Sequence, residues 1–235
     1  MTTPRSAMIL AAGYGTRMGA LTADRPKPLI SVAGQTLIDR TLDLVAKAGI
    51  PEAVVNLHYH GEMIRAHLAT RSAPSIRYSE EPDLLDTGGG LVAARGLLQG
   101  PVVAVANSDA VFAGPNPLTV LAASGLPAGA KACLLMVEHT GARGYTRQGD
   151  FFADGTGLQR RGDADHAPLI YTGVQLLGLD ALDGAPAGAF STNLIWNRLI
   201  AEGAIAHAVY PGLWVDVGTP DGIREAEATL AEASE

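Results

Sequence analysis

A chain with one cysteine, Cys133, cannot close an internal disulfide. That residue sits in the apolar run Ala132-Cys133-Leu134-Leu135-Met136-Val137, where a buried, inert thiol is expected rather than a nucleophile. No stretch approaches the roughly 18 consecutive apolar residues that a membrane span needs. The opening Met1-Thr2-Thr3-Pro4-Arg5-Ser6 runs straight into a strand-like segment and contains no signal-peptide core. The expectation is a cytoplasmic protein with no membrane partner. Lys and Arg nowhere cluster, and the formal net charge is −7. Nucleic-acid binding rests on phosphate neutralisation, so no nucleic-acid partner is expected. Small phosphorylated molecules stay open, because a few cations and backbone amides bind those locally. There is no Ser-His-Asp or Cys-His pattern. His58 and His60 flank Tyr59, but no third and fourth ligand follow at zinc-site spacing.

What is present suits one α/β domain: 235 residues, 47% hydrophobic and 17% charged, enough to bury a core. Strand-like runs lie at Ala7–Ala11, Ala53–Leu57, Ile76–Tyr78 and Val102–Ala106. Helical periodicity lies between them at Thr36–Ala48, Gly61–Ala69 and Gly88–Leu98, the first stopped by Gly49 and Pro51. Alternation in this order predicts right-handed crossovers and a mostly parallel sheet with helices on both faces. Further strands are expected at Lys131–Val137, Phe151-Phe152, Leu158-Gln159, Leu169–Leu177 and Ile205–Tyr210. The cluster Ala153-Asp154-Gly155-Thr156-Gly157 reads as a turn between two of them. Helices are expected at Thr192–Glu202 and Pro220–Ala231. No linker or repeat divides the chain.

Two segments carry the chemistry. Leu10-Ala11-Ala12-Gly13-Tyr14-Gly15-Thr16-Arg17-Met18 follows a buried strand, and glycines there let backbone N–H groups face an anion. The dinucleotide fingerprint fails because Met18 stands at its third glycine, and no Lys-Ser/Thr completes a P-loop. An ordinary βα turn has the same composition. Arg17 adds a forked cation suited to phosphate oxygens. Next comes Arg25-Pro26-Lys27-Pro28-Leu29, whose prolines bias Arg25 and Lys27 away from helix. An extended, stiff presentation of Lys27 is expected; a Pro-stiffened loop with a solvated lysine is the alternative.

Residues 10–28 resemble the signature of the sugar-1-phosphate nucleotidyltransferases, roughly L-A-A-G-x-G-T-R-[LM]-x-P-L-T-x-x-x-P-K-P. The one departure is Ala20, where the family usually has proline. The resemblance continues through Asp86-Thr87-Gly88-Gly89-Gly90, Asn107-Ser108-Asp109, Gly149-Asp150-Phe151 and Trp214-Val215-Asp216-Val217-Gly218-Thr219-Pro220, over about residues 7–230. It implies a single-domain Rossmann-like, GT-A-like fold with a mixed, mostly parallel sheet. Residues 1–110 would form the nucleotide-binding half, and 111–235 the sugar-binding half. The pattern is most similar to short uridylyltransferases of cell-wall recycling that use UTP and N-acetylmuramate 1-phosphate. Short mannose-1-phosphate guanylyltransferases are the rival within the family. A non-catalytic nucleotide-sugar-binding module is the rival outside it.

The implied partners are a nucleoside triphosphate and a sugar 1-phosphate, in a monomer or small homo-oligomer, and the implied cofactor is Mg2+. A phosphate monoester is mostly ionised at neutral pH, so a sugar-phosphate nucleophile needs no general base. The obstacle is repulsion between anions, and the remedy is positioning plus positive charge. By the resemblance Asp109 and Asp216 hold the metal, although each could be only a strand-end or turn cap. Arg17 and Lys27 complete the catalytic set. The nucleotide is expected at Ala11, Ala12, Gly13, Gly15, Thr16, Arg17, Asp86, Thr87 and Gly88. The sugar is expected at Asp150, Thr172, Gly173 and Asn193, although Asn193 could equally serve only its helix start, where Ser191 or Thr192 looks like the cap. Arg160-Arg161 and Asp163-Ala164-Asp165 read as a solvated face, and Trp196 as core.

Overall fold

The computed structural model describes residues 3–154 and 157–233. Met1 and Thr2 of the opening segment, and Gly155-Thr156 of the expected turn, lie outside the described residues. Strand β1 (Ser6–Leu10) leads through a 3-10 segment (Thr16–Thr22) to a small hairpin of β2 (Ser31–Val32) and β3 (Gln35–Thr36). Three crossover units follow: α1 (Leu37–Lys47), β4 (Glu52–Leu57), α2 (Gly61–Leu68), β5 (Ser75–Glu80), α3 (Asp86–Ala94) and β6 (Val102–Asn107). Then come β7 (Ala110–Ala113), α4 (Pro117–Ser124), β8 (Ala132–Glu138) and β9 (Ala142–Arg143). The chain continues through β10 (Phe151–Asp154), β11 (Gly157–Arg160) and β12 (Leu169–Gly178). It ends with α5 (Asn193–Ala201), β13 (Ile205–Val209), β14 (Leu213–Asp216) and α6 (Pro220–Glu232).

Nine strands build the main sheet in the order β11-β10-β12-β6-β1-β4-β5, with β8 on β12 and β13 on β8. The pairings make β12 and β11 run against the other seven, so the sheet is mixed and mostly parallel. Period-two alternation explains why helices cover both faces. Ala7 and Ile9, Val55 and Leu57, and Ala104 and Ala106 pack with α1, α2 and α4 through Leu42, Ile64 and Leu121. Their neighbours Met8, Val54, Val103 and Val105 point the other way, toward Leu91 of α3 and Leu199 of α5. Each fully buried Val, Leu, Ile or Met among them contributes about 1.5–3 kcal/mol.

The predicted elements are present with ends shifted by a few residues, and besides the β2–β3 hairpin two features were not foreseen. The first is α4, whose start is fixed by Asn116: its Oδ1 accepts from the N–H of Leu118 at 2.9 Å, with Pro117 in the first turn. The second is a three-stranded sheet, β7-β14-β9, backed by α6 through Val111, Val215, Val217 and Ala226. Its strands have four residues or fewer, too short to show a period. No helix among the described residues is long and apolar enough to cross a membrane.

Candidate active site

The C-terminal ends of β1, β4 and β6 are locked together. The Ala11 N–H donates to Asn56 Oδ1 at 2.7 Å, and the Ser108 hydroxyl donates to the Leu10 carbonyl at 2.8 Å. From this platform the glycine loop folds over Lys27. Gly15 has φ +65°, and a Cβ there would lie 2.8 Å from Lys27 Cβ and 3.1 Å from Thr22 Cγ2. The Thr22 hydroxyl donates to the Gly15 carbonyl at 3.1 Å. Only glycine satisfies both the backbone conformation and the space.

The expected extended presentation of Lys27 is not what forms. Pro26 is extended, but Lys27-Pro28-Leu29 is a 3-10 turn closed by the Ile30 N–H on the Lys27 carbonyl at 2.9 Å. Pro28 sits at the front of that turn, where its fixed φ suits the bend and its missing N–H costs nothing. The turn sends Lys27 inward: it is 7% exposed, with Nζ 2.7 Å from Asp109 Oδ2. It is not a solvated lysine.

The unforeseen small sheet brings the two distant aspartates together. Asp109 follows β6, and β14 runs antiparallel to β7 with Asp216 opposite Ala110. The Val217 N–H donates to the Asp109 carbonyl at 3.1 Å. Asp216 is held above the ordinary carboxylate range by burial and by the neighbouring Asp109 charge, against the opposing pull of Lys27, Arg17 and Arg147. Arg17 lies close by, since a Cβ on Gly218 would be 2.8 Å from Arg17 Nη1 and 3.0 Å from Asp216 Oδ1. Two adjacent carboxylates, one costly to ionise, form a hard-oxygen donor set that a divalent cation fits. No group of three or more His, Cys, Asp or Glu suited to a metal exists among the described residues. An ion here would complete its shell from water and substrate oxygens.

These groups stand between two joined lobes of one cleft. The first, about 420 Å³, is lined by Ala11, Ala12, Gly13, Gly15, Thr16 and Arg17 of the glycine loop, with Lys27, Asp86, Thr87 and Asp109. The second, about 550 Å³, is lined by Asp150, Thr172, Gly173, Asn193 and Asp216. Arg17, Asp86, Thr87 and Asp109 border both.

Gly88 is the one expected site residue outside the cleft lining. The Asp86-Thr87-Gly88-Gly89-Gly90 run is the first turn of α3, and the Gly88 N–H donates to the Phe190 carbonyl at 2.9 Å. A Cβ on Gly88 would meet the Phe190 ring at 2.4 Å, and one on Gly89 the Gly188 carbonyl at 2.3 Å. These glycines admit a neighbouring loop; Gly88 has no free N–H to offer a base. Asp86 bends the chain at φ +57° and accepts the Thr87 N–H. Thr172 likewise spends its hydroxyl on the Leu135 carbonyl at 2.8 Å. Gly173, at φ +86°, lies in the bulge of β12, where a Cβ would stand 3.0 Å from Asn107.

Several lining residues were not foreseen as part of a site. Glu81, 3% exposed, accepts from Asn56 Nδ2 at 2.7 Å and from the Leu85 N–H at 3.1 Å on the floor of the first lobe. In the second lobe, Asp150 accepts the Tyr171 N–H at 3.0 Å and the Tyr145 hydroxyl at 3.3 Å. Near it stand Arg147, over the Tyr145 ring, and Arg160, over the Phe151 and Trp196 rings. Arg160 was expected on a solvated face. Its strand neighbour Leu158 is buried, and residues two apart share a face, so period two was the overlooked signal. Trp196, expected as core, is buried and also borders the second lobe. Thr192 borders it too, with its Oγ1 buried and unpartnered among the described residues. Thr192 already has helical φ/ψ, and the Ser191 hydroxyl accepts the Asn193 N–H at 3.3 Å, the bond an N-cap serine makes.

The chain matches known proteins along most of its length. A family profile described as nucleotidyl transferase covers residues 6–145. An N-acetylmuramate alpha-1-phosphate uridylyltransferase of Caulobacter vibrioides is 42% identical, over 98% of both chains. One from Neisseria meningitidis serogroup B is 34% identical, over 94% of this chain and 96% of that protein. In fold, the chain resembles the inositol-1-phosphate CTP transferase of T. maritima, with a TM-score of 0.80 at 14% identity over 98% of each chain. Conserved identity end to end, with the glycine loop inside the matched segment, leaves one conclusion: this chain belongs to the nucleotidyl transferase family.

Proposed function

We propose that the protein joins UTP and N-acetylmuramate 1-phosphate into the nucleotide sugar and releases pyrophosphate. The observation that carries this reading is the convergence of Asp109, Asp216, Lys27 and Arg17 where the two lobes meet. The end-to-end similarity to two uridylyltransferases supports the choice of substrates. The nucleotide takes the lobe built mainly by residues 1–110, with its triphosphate along the glycine loop. The sugar phosphate takes the lobe built mainly by residues 111–235.

The sugar-phosphate oxygen is already anionic and attacks the α-phosphorus in line with the departing pyrophosphate. Arg17, a forked cation with no ion pair among the described residues, holds the leaving β- and γ-phosphates. Lys27 has one N–H committed to Asp109 and two left for the reacting phosphates. Asp109 and Asp216 hold Mg2+, which when bound neutralises charge gathering on the phosphates. Asp150, Thr172, Gly173 and Asn193 shape the sugar side.

Pyrophosphate release across a panel of nucleotides and sugar phosphates tests the proposal. Turnover with UTP and N-acetylmuramate 1-phosphate, abolished by chelation, is expected. Turnover confined to GTP and mannose 1-phosphate would replace the reading with a guanylyltransferase. Tight binding without turnover would make the chain a sensing module.

A further inference from the structure

Most arginines of this chain are committed to carboxylates or carbonyls, as Arg71 is to Asp39 and Arg95 to Asp183. Arg160 is arranged differently. It leaves the antiparallel hairpin β10–β11 opposite Phe151, and its guanidinium lies 4.6 Å above the Phe151 ring and 5.3 Å from the Trp196 ring. Nε donates to Asn197 Oδ1 at 3.0 Å, and Nη2 donates to Asn193 Oδ1 at 3.0 Å. A second bond from Nη2 reaches the Asn193 carbonyl at 3.3 Å. Two asparagines and two rings thus fix the plane of the fork on the wall of the sugar-side lobe. Neutral amides orient a guanidinium without neutralising it. No carboxylate forms an ion pair with Arg160 among the described residues, and Nη1 has no partner there. Burial disfavours its charge, and the one carboxylate felt at longer range is Asp150 rather than Asp109 or Asp216. Arg160 therefore belongs to the wall of the sugar lobe formed by Phe151, Asn193, Trp196 and Asn197.

A half-buried, oriented guanidinium with no carboxylate in ion-pair contact among the described residues is a ready partner for an anionic group on a ligand. A neutral hexosamine has nothing to answer it. N-acetylmuramate differs from N-acetylglucosamine by an ether-linked lactyl group that ends in a carboxylate. We infer that Arg160, held by Asn193 and Asn197, is a specificity-determining residue that reads a carboxylate on the sugar and selects acidic over neutral sugar 1-phosphates. This rests on the proposed reading of the cleft as that of a sugar-1-phosphate uridylyltransferase.

The experiment is steady-state pyrophosphate release with UTP and three sugar phosphates: N-acetylmuramate, N-acetylglucosamine and glucuronate 1-phosphates. For Arg160→Met the kcat/KM for N-acetylmuramate 1-phosphate falls about 10- to 100-fold, the loss of a charge-assisted bond, mostly through KM. The value for N-acetylglucosamine 1-phosphate stays within about threefold, since no bond to it is lost. Arg160→Lys, which keeps the charge and loses the fork, falls between, and it carries the test if Arg160→Met does not fold. Equal losses on both N-acetylated sugars, or no loss on either, overturn the inference and leave the uridylyltransferase reading standing. A wild-type enzyme that prefers glucuronate 1-phosphate, with that preference lost in Arg160→Met, sinks the N-acetylmuramate assignment and keeps Arg160. A wild-type enzyme that prefers neutral sugars overturns both.

Discussion

Gly15→Ala tests whether the glycine loop acts by holding Lys27 in place. Two costs add at this position. An alanine at φ +65° loses about 1 kcal/mol in the left-handed region. Its methyl would also stand 2.8 Å from Lys27 Cβ and 3.1 Å from Thr22 Cγ2, where carbon atoms prefer about 3.5–4.0 Å. Relief means moving Lys27 outward by roughly 1 Å, and a misplacement of that size costs about 100-fold in turnover. The expected result is a stability loss of about 1–3 kcal/mol in urea melts, with kcat reduced about 100-fold in protein that is still folded. Gly13→Ala is the matched control. Gly13 lines the same lobe, but a Cβ there meets nothing within 4 Å. Its stability and kcat should stay near wild type while KM for the nucleotide rises. Gly15→Ala with kcat within threefold of wild type, or Gly13→Ala with an equal loss of kcat, would refute the reasoning.

Lys27→Ala and Asp109→Ala should each lower turnover at least 100-fold with the circular dichroism spectrum retained, as expected for charged groups acting in the transition state. Away from the cleft, burial works to raise the Asp39 pKa, yet hydrogen bonds from Thr36 and His67 and the charge of Arg71 hold it below the ordinary carboxylate value. Its contribution is therefore present above the ordinary value and lost as pH falls through the lowered one. Asp39→Asn should cost about 1–2 kcal/mol in chemical denaturation at neutral pH, with the difference from wild type shrinking in acid. Thr192→Val removes a buried hydroxyl that has no partner among the described residues, so its melting temperature should not fall; a drop of several degrees would refute that reading.

The doubly wound half of the fold was legible because its strands are long and buried on both faces. Val102–Asn107 has burial imposed by helices on either side, and such runs stand out in any sequence. Lys27 shows where local reasoning stops. Flanking prolines do oppose a long helix, but one 3-10 turn tolerates Pro28, and tertiary packing against Gly15 decides the direction of the side chain. The glycines after Thr87 look from their spacing like a ligand cradle. Their actual constraint is the Phe190 ring and the Gly188 carbonyl, nearly a hundred positions away and invisible to local pattern. The proximity of Asp109 and Asp216 depends on β7 and β14, which are four residues each. Only the resemblance hinted at it. Arg160 was missed for a different reason: a pair of arginines was read by composition when its strand period should have been read first.

The charges around the cleft make one further demand. Among the described residues its lining carries four cations, Arg17, Lys27, Arg147 and Arg160, against five carboxylates, Glu81, Asp86, Asp109, Asp150 and Asp216. With all nine ionised the cleft has net charge −1, in a chain that is itself at −7. A triphosphate entering such a cleft meets repulsion at its centre, where Asp109 and Asp216 stand side by side. A divalent ion would reverse the local sum to +1 and offset the Asp109 charge that, after burial, raises Asp216. Magnesium should therefore be required for nucleotide binding and not only for turnover. Calorimetric titration of UTP into protein held in chelator should give an affinity at least tenfold weaker than in millimolar Mg2+, a difference of about 1.4 kcal/mol or more. Asp216→Asn should narrow that gap, since it removes one of the two charges the ion answers. Equal affinity with and without the ion would mean that the four cations alone hold the triphosphate, and that the paired aspartates serve some other purpose.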